Sequence, residues 1–253
     1  MILMKLKVLL FTLLISLGYG AYASVFQDET LHYTISYKWG LIHKDAGNAT
    51  LSLKRTGDRY DIMLTAKSKP WADKLYQVRD TLKGSMRVSD LKPLSYAKIT
   101  HEKGKYELEE IKYSFVGNVT NGVAKRYKFK GEKPEVREIA FSSEGPVYDM
   151  LSVFYYLRKL DFEKMNKDKV YVATIFSGKQ KETIKIRSLG VETIKLRDKT
   201  LRKAYHIKFN FTRDGGKKSS EDMDTWISTD SSHIPLYLTA KLHIGEVRAY
   251  LEK

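Results

Sequence analysis

The chain has 253 residues, 42% of them hydrophobic, and a net charge of +15. It contains no cysteine, which rules out disulfides, thiol enzymes and a lipid-modified cysteine anchor. Aromatic residues make up 12%, with seventeen tyrosines and three tryptophans, so large rings have to be accounted for in the core or at a site.

The first element is an export signal. Lys5 and Lys7 precede an apolar run from Val8 to Ile15, and Ala21-Tyr22-Ala23 puts small residues at −3 and −1 before Ser24. The apolar run is too short to span a bilayer comfortably, and no second run of membrane-helix length follows. Residues 1–23 are therefore expected to be cleaved, giving a periplasmic or secreted protein without a transmembrane segment. Cleavage after Ala23 removes Lys5 and Lys7 and leaves 230 residues of net charge +13. In that compartment a basic chain meets anionic glycans, lipid headgroups or envelope proteins rather than nucleic acid. The lysines are spread, as at Lys67 and Lys69, Lys125 to Lys130, Lys179 to Lys185 and Lys217-Lys218, which suits a solvated basic exterior better than one patch.

From Glu29 to Trp39 the chain alternates, with Leu31, Tyr33, Ile35, Tyr37 and Trp39 on one face, the period of a strand with one wet side. The pattern returns at Ala49 to Leu53, at Tyr60 to Ala66 after Thr56-Gly57-Asp58, and along Tyr76 to Val88. It continues at Tyr106 to Val116, Val123 to Lys130 and Val136 to Phe141, with Asn121-Gly122 reading as a turn. Gly145-Pro146 then opens a stretch with Val147, Met150, Leu151, Phe154 and Leu157 spaced by three and four, which predicts one helix over about 146–160. Strands resume at Val170 to Phe176, Thr183 to Ser188, Val191 to Arg197, Ala204 to Thr212, Met223 to Ser228, Pro235 to His243 and Val247 to Leu251. Asp214-Gly215-Gly216 and Gly245 supply turns.

The expected fold is mainly β, an antiparallel curved sheet or open barrel of roughly 12–14 strands with one central helix. Residues 24–253 form one β-rich domain, or two sub-lobes divided near 143–165. A membrane barrel is disfavoured because lysine and glutamate intrude on both faces, as in 105–112.

Catalytic signatures are missing. His32, His43, His101, His206, His233 and His243 are not paired at ligand spacing, so no metal and no cofactor are expected. The acids at Glu221, Asp222, Asp224 and Asp230 lack the spacing of a calcium loop. Ser89 with Lys92 and Ser95 with Lys98 match Ser-x-x-Lys without its companion motifs. No catalytic residue is assigned, and a non-enzymatic role comes first: binding an apolar or glycan ligand or an envelope partner. Trp71, beside Pro70 and outside the alternation, and Tyr155 and Tyr156, on the predicted helix, are the candidate ligand-binding residues. The alternative is a hydrolase of envelope polysaccharide using paired carboxylates drawn from Asp149, Asp222 and Asp224.

Several stretches resemble one family when taken in order. They are Trp39-Gly40-Leu41-Ile42 with Ala46-Gly47, Leu75 to Asp80, Leu91 to Tyr96, Asp149 to Arg158, Trp226 to Asp230 with Ile234-Pro235, and Gly245-Glu246-Val247. Together they are similar to the DUF3108 family of bacterial exported proteins. The resemblance implies a periplasmic, β-rich, barrel-like fold without an assigned activity, and it carries over no catalytic residues.

Overall fold

The alternation of Glu29–Trp39 forms β1, whose inward side chains Leu31 and Tyr33 start the core. The computed structural model describes residues 26–252 except 75–76, 103–104, 130–132, 214–215, 217–219 and 243. The expected signal segment lies outside them, as do Lys217-Lys218, Asp214-Gly215, Tyr76 and His243.

The first arm is an antiparallel meander: β1, β2 (Ile42–Thr56), β3 (Arg59–Ser68), β4 (Arg79–Arg87), β5 (Pro93–Glu102), β6 (Lys105–Val116), β7 (Val119–Phe129) and β8 (Pro134–Glu144). The second arm comprises β9 (Val147–Tyr148), β10 (Tyr171–Phe176), β11 (Lys181–Lys195), β12 (Leu201–Arg213), β13 (Met223–Ser228), β14 (Pro235–Lys241) and β15 (Glu246–Leu251). The arms join where β1 pairs antiparallel with β15, Tyr33 opposite Leu251, so all 15 strands form one sheet running from β8 to β9. Among the described residues only β9 and β10 pair in parallel. The sheet curls until its ends nearly meet, with Ser143 of β8 3.3 Å from Thr174 of β10 and the Phe141 and Phe176 rings stacked at 5.1 Å. The protein is therefore mainly β and barrel-shaped, with one strand more than the sequence suggests.

The periodicity misses two strands, β5 and the two-residue β9, and splits a third, β11, in two. The β5 sequence, Pro93-Leu94-Ser95-Tyr96-Ala97-Lys98, masks its alternation: Tyr96 is buried, but the polar Ser95 and Lys98 and the small Ala97 beside it show no apolar period. At Ser188/Gly190 the register shifts, so the two segments read at Thr183 to Ser188 and Val191 to Arg197 are one bulged strand, β11. Asn121-Gly122 is not a turn. The turn lies at Gly117-Asn118, with Gly117 at φ +57°, and Gly122 sits inside β7 beneath Phe176. A Cβ on Gly122 would lie 2.8 Å from the Phe176 ring, which is the physical reason for glycine there.

Among the described residues two short helices interrupt the strands, α1 (Pro70–Asp73) and α2 (Ser152–Arg158). The helix expected over 146–160 is thus only its second half. Pro146 and Val147 are recruited to the sheet, Pro146 O accepting from Thr174 N at 2.9 Å. The helix begins later because Asp149 Oδ1 accepts the Leu151 and Ser152 amides (both 2.8 Å), while the Asp149 amide donates to Ser152 Oγ at 2.9 Å. The apolar spacing was that of a buried segment, and Met150, at its start, is exposed.

Helix α2 fills the barrel interior. Leu151, Val153, Tyr155 and Leu157 are buried, and Gly84 of β4 leaves room for Leu151. Its last residue, Arg158, carries a buried guanidinium. It makes a two-pronged ion pair with Glu29 of β1, its Nη2 3.0 Å from Oε2, and donates to the carbonyls of Ser232 (2.9 Å) and His233 (3.0 Å). Phe26 and Tyr155 flank the same guanidinium. One side chain thereby ties the plug to the first strand and to the β13–β14 loop.

Candidate functional site

One end of the barrel is open and lined by apolar groups. Across the register shift at Ile35/Ser36, where Ala46 is the extra residue of β2, β1 keeps Ile35 and Tyr37 on the cavity side, and no plug residue lines this end. A cavity of about 370 Å³ results, lined among others by Ile35, Tyr37, Ala66, Trp71, Val78 and Val247. Small residues make it. Ala46, Gly47 and Ala66 line β2 and β3 where larger side chains would fill the space. Gly47 also lets β2 and β3 approach, since its Cβ would stand 2.7 Å from the Lys67 carbonyl oxygen.

Helix α1 forms a flap over this mouth. The Trp71 indole N–H donates to Asp45 O at 2.8 Å, and Lys69 N donates to Ala46 O at 2.7 Å, so the flap is pinned to β2. Behind it Arg79 makes a two-pronged pair with Asp73 (3.1 and 2.7 Å) and donates to Ser68 Oγ at 2.9 Å, while Val78 N donates to the same hydroxyl at 2.8 Å. The Arg79 guanidinium holds the Asp73 carboxyl below its ordinary range. Asp45 is lowered too, first by the hydrogen bond from Arg197, which reaches it at 3.0 Å from the β11–β12 hairpin.

The rim is basic. Lys67 lines the cavity, Lys44 places its ammonium 4.9 Å from the Trp71 ring centroid, and Lys69 stands 3.9 Å from Asp45. Among polar side chains the lining includes Asn48 and Ser68, and the Ser68 hydroxyl is already committed to Asp73, Val78 and Arg79. Such a surface can accept hydrocarbon and hold a negative charge at its edge.

Of the three residues singled out in the sequence, Trp71 lines the cavity. It is half-buried, because the flap lays it against β2. Tyr155 is wholly buried, edge-on to Phe26 at 5.2 Å, and burial pushes its hydroxyl pKa well up. Tyr156 is half-buried and stacks on Tyr148 at 4.4 Å. Both belong to the plug and neither lines the mouth. The sequence signal that could have pointed there was the run of small residues at Ala46-Gly47 facing Ala66, which is faint because small residues also occur wherever strands pack closely.

Asp149 is not brought together with the other two candidate carboxylates. Asp149 is buried between β9 and α2, and burial raises its pKa to about 6 against the pull of the amides it accepts. Asp222 accepts from Asn210 Nδ2 at 2.7 Å, and Asp224 meets His206 Nε2 at 2.8 Å. His206 and Asp224 share the outer face, since their neighbours Ile207 and Thr225 point inward and are buried. Among the described residues no group of three or more His, Asp or Glu side chains could hold a metal ion.

Aromatic rings also line the outside of β12 to β15. His206, Trp226, Tyr237 and Tyr250 lie on successive strands and stack with centroids 4.5, 4.8 and 4.8 Å apart. Arg197 closes the row 5.1 Å from Tyr250. Their faces are spent on one another, so the row presents edges rather than the open ring faces on which a sugar would stack.

Comparison with known proteins agrees with this architecture. The family described as Protein of unknown function (DUF3108) matches residues 32–252. A crystal structure of a beta-barrel-like protein of domain of unknown function DUF1849 from Brucella abortus superposes with a TM-score of 0.58 at 9% identity, covering 89% of this chain and 96% of that one. At that identity the likeness speaks for the fold alone. No curated protein matches.

Proposed function

The chain belongs to the DUF3108 family of unknown function, and on that premise we propose that it is an exported envelope protein that binds a single-chain anionic amphiphile in the mouth of its barrel. The observation that carries the proposal is the cavity of about 370 Å³ beneath the α1 flap, apolar inside and rimmed by Lys44, Lys67 and Lys69. Cavities of this size fall within the range of small-molecule sites. An acyl chain would lie against Ile35, Ala66, Val78 and Val247, with its head group among the lysines. The outer aromatic row, with its faces already stacked, gives little support to a glycan ligand. The leader pattern with Lys5, Lys7 and Ala21-Tyr22-Ala23 supports export to the compartment where such amphiphiles are found.

The test is titration of the purified protein with a fluorescent fatty acid, read by probe emission. Saturable binding is expected in the wild type. Ala66→Phe, which fills the cavity from β3, should weaken binding by about tenfold or more, since a displaced chain loses most of its apolar contact. Equal affinity in the two proteins would refute the site. Saturable binding of a neutral oligosaccharide in place of the fatty acid would refute the ligand class.

A further inference from the structure

Two hairpin tips flank the cavity mouth, and both are apolar where loop tips are ordinarily polar. The β1–β2 tip carries Trp39, Leu41 and Ile42, and the β14–β15 tip carries Leu242 and Ile244, with exposures from 48% to 105%. Singly exposed apolar residues need no explanation, but these five share one place. Strands β1 and β15 pair up to Lys38 opposite Glu246, and the Tyr37 hydroxyl donates to Ile244 O at 2.9 Å, so the two tips are held side by side. Tyr37 and Leu242 are also wall residues of the cavity, which places the tips at its opening.

The surroundings are cationic. Lys38 and Lys44 flank the first tip and Lys241 the second, all three exposed. Glu246 faces Lys38 and Lys241 across the ladders, but its carboxylate is held by Arg248. Apolar side chains at the very end of the barrel, a tryptophan among them, with lysines just behind, match the layering of a bilayer surface: hydrocarbon first, then anionic head groups.

We propose that these two hairpin tips dock the protein on an anionic lipid bilayer, with the cavity mouth turned toward the membrane. The occupant follows from charge complementarity and from continuity with the opening through which an amphiphile would enter. This inference rests on the reading of the cavity as an amphiphile site, yet it can fail separately.

The experiment is co-sedimentation with vesicles containing phosphatidylglycerol and with vesicles of phosphatidylcholine alone. It compares the full chain with a Leu41→Glu/Ile244→Glu variant, so any contribution of residues 1–25 cancels. Leu41 is fully exposed and Ile244 more than half so, so the two substitutions are expected to leave the fold intact. An unchanged urea midpoint of unfolding in the same variant checks this. Wild-type protein should sediment with the anionic vesicles, and the double variant should partition about a hundredfold less, on the order of tenfold for each anchor side chain lost from the interface. Lys38→Glu/Lys44→Glu should remove the preference for phosphatidylglycerol. Equal sedimentation of wild type and tip variant overturns the proposal, as does absence of wild-type binding to either vesicle. A concentration-dependent dimer in analytical ultracentrifugation that the tip variant abolishes, without vesicle binding, would assign the patch to self-association instead. Vesicle binding without saturable fatty-acid binding would keep the docking surface and remove the cavity reading. The converse would do the reverse.

Discussion

Truncating Arg158 to alanine removes the tie between plug and barrel. The guanidinium is almost wholly enclosed, with its side chain 1% exposed, whereas Glu29 is 17% exposed. The substitution deletes a two-pronged ion pair and two hydrogen bonds to the carbonyls of Ser232 and His233, and leaves the Glu29 carboxylate without its counter-ion. Breaking one partner of a buried pair costs about 3–5 kcal/mol, because the remaining charge loses both its water and its counter-ion. Against a typical total of about 5–15 kcal/mol, that is a large share. Glu29 keeps some contact with water, so the middle of the range, about 4 kcal/mol, is the expected loss. With a urea dependence of about 3 kcal/mol per M for a chain of this size, the midpoint should fall by about 1.3 M. Urea unfolding followed by far-ultraviolet circular dichroism and by tryptophan fluorescence measures it. Adding Glu29→Ala to Arg158→Ala should cost little further, because the second change removes a carboxylate already without its partner. A midpoint drop below about 0.3 M, or simple additivity of the two substitutions, would refute the reasoning.

Asp149 makes stability depend on pH in an unusual direction. Its folded pKa of about 6 exceeds the ordinary 3.8, so the folded state holds the proton more tightly, and stability falls as pH rises from about 4 to 6, by up to about 3 kcal/mol. Asp149→Asn still accepts the Leu151 and Ser152 amides and should lose that slope. Chemical denaturation at a series of pH values compares the two proteins, and an unchanged slope in the variant counts against the assignment. Asp45 and Asp73, whose pKa values are lowered, act oppositely and only as pH falls below 3.8, so the windows separate. Gly122→Ala should destabilise by about 1–3 kcal/mol through collision with Phe176, and Phe176→Leu in the same chain should recover part of the loss in thermal unfolding. Trp71→Ala frees the α1 flap from β2 and should increase amide exchange through 69–73, measured by hydrogen–deuterium exchange, while exchange in α2 stays unchanged. Protein recovered from the envelope fraction of an expressing cell should begin at Ser24, which N-terminal sequencing reads directly.

Much of the barrel was legible before any coordinates. A strand with one side buried must alternate, and β1 and β13 fall at the residues where alternation places them. The order of short strands and turn residues implied an antiparallel curved sheet, and the shared patterns pointed to the family. Elements shaped by a distant neighbour were illegible. Gly122 looked like a turn residue because Phe176, which needs the space, is 54 positions away in sequence. Pro146 looked like a helix start because its pairing with β10 is a matter of sheet closure.

The sequence by itself determined the alternation of the strands, the excess of positive charge and the absence of thiol chemistry, since these follow from local period and composition. Only the tertiary structure decided where the inside is empty. A cavity arises when small residues from separate strands meet, here Ala46 and Gly47 with Ala66, beyond the reach of a plug that ends elsewhere. It likewise decided that Trp71 borders that space while Tyr155 helps fill the core, and that two apolar hairpin tips far apart in sequence stand together at its opening. Periodicity constrains the direction of a side chain, whereas a site depends on what several directions converge upon.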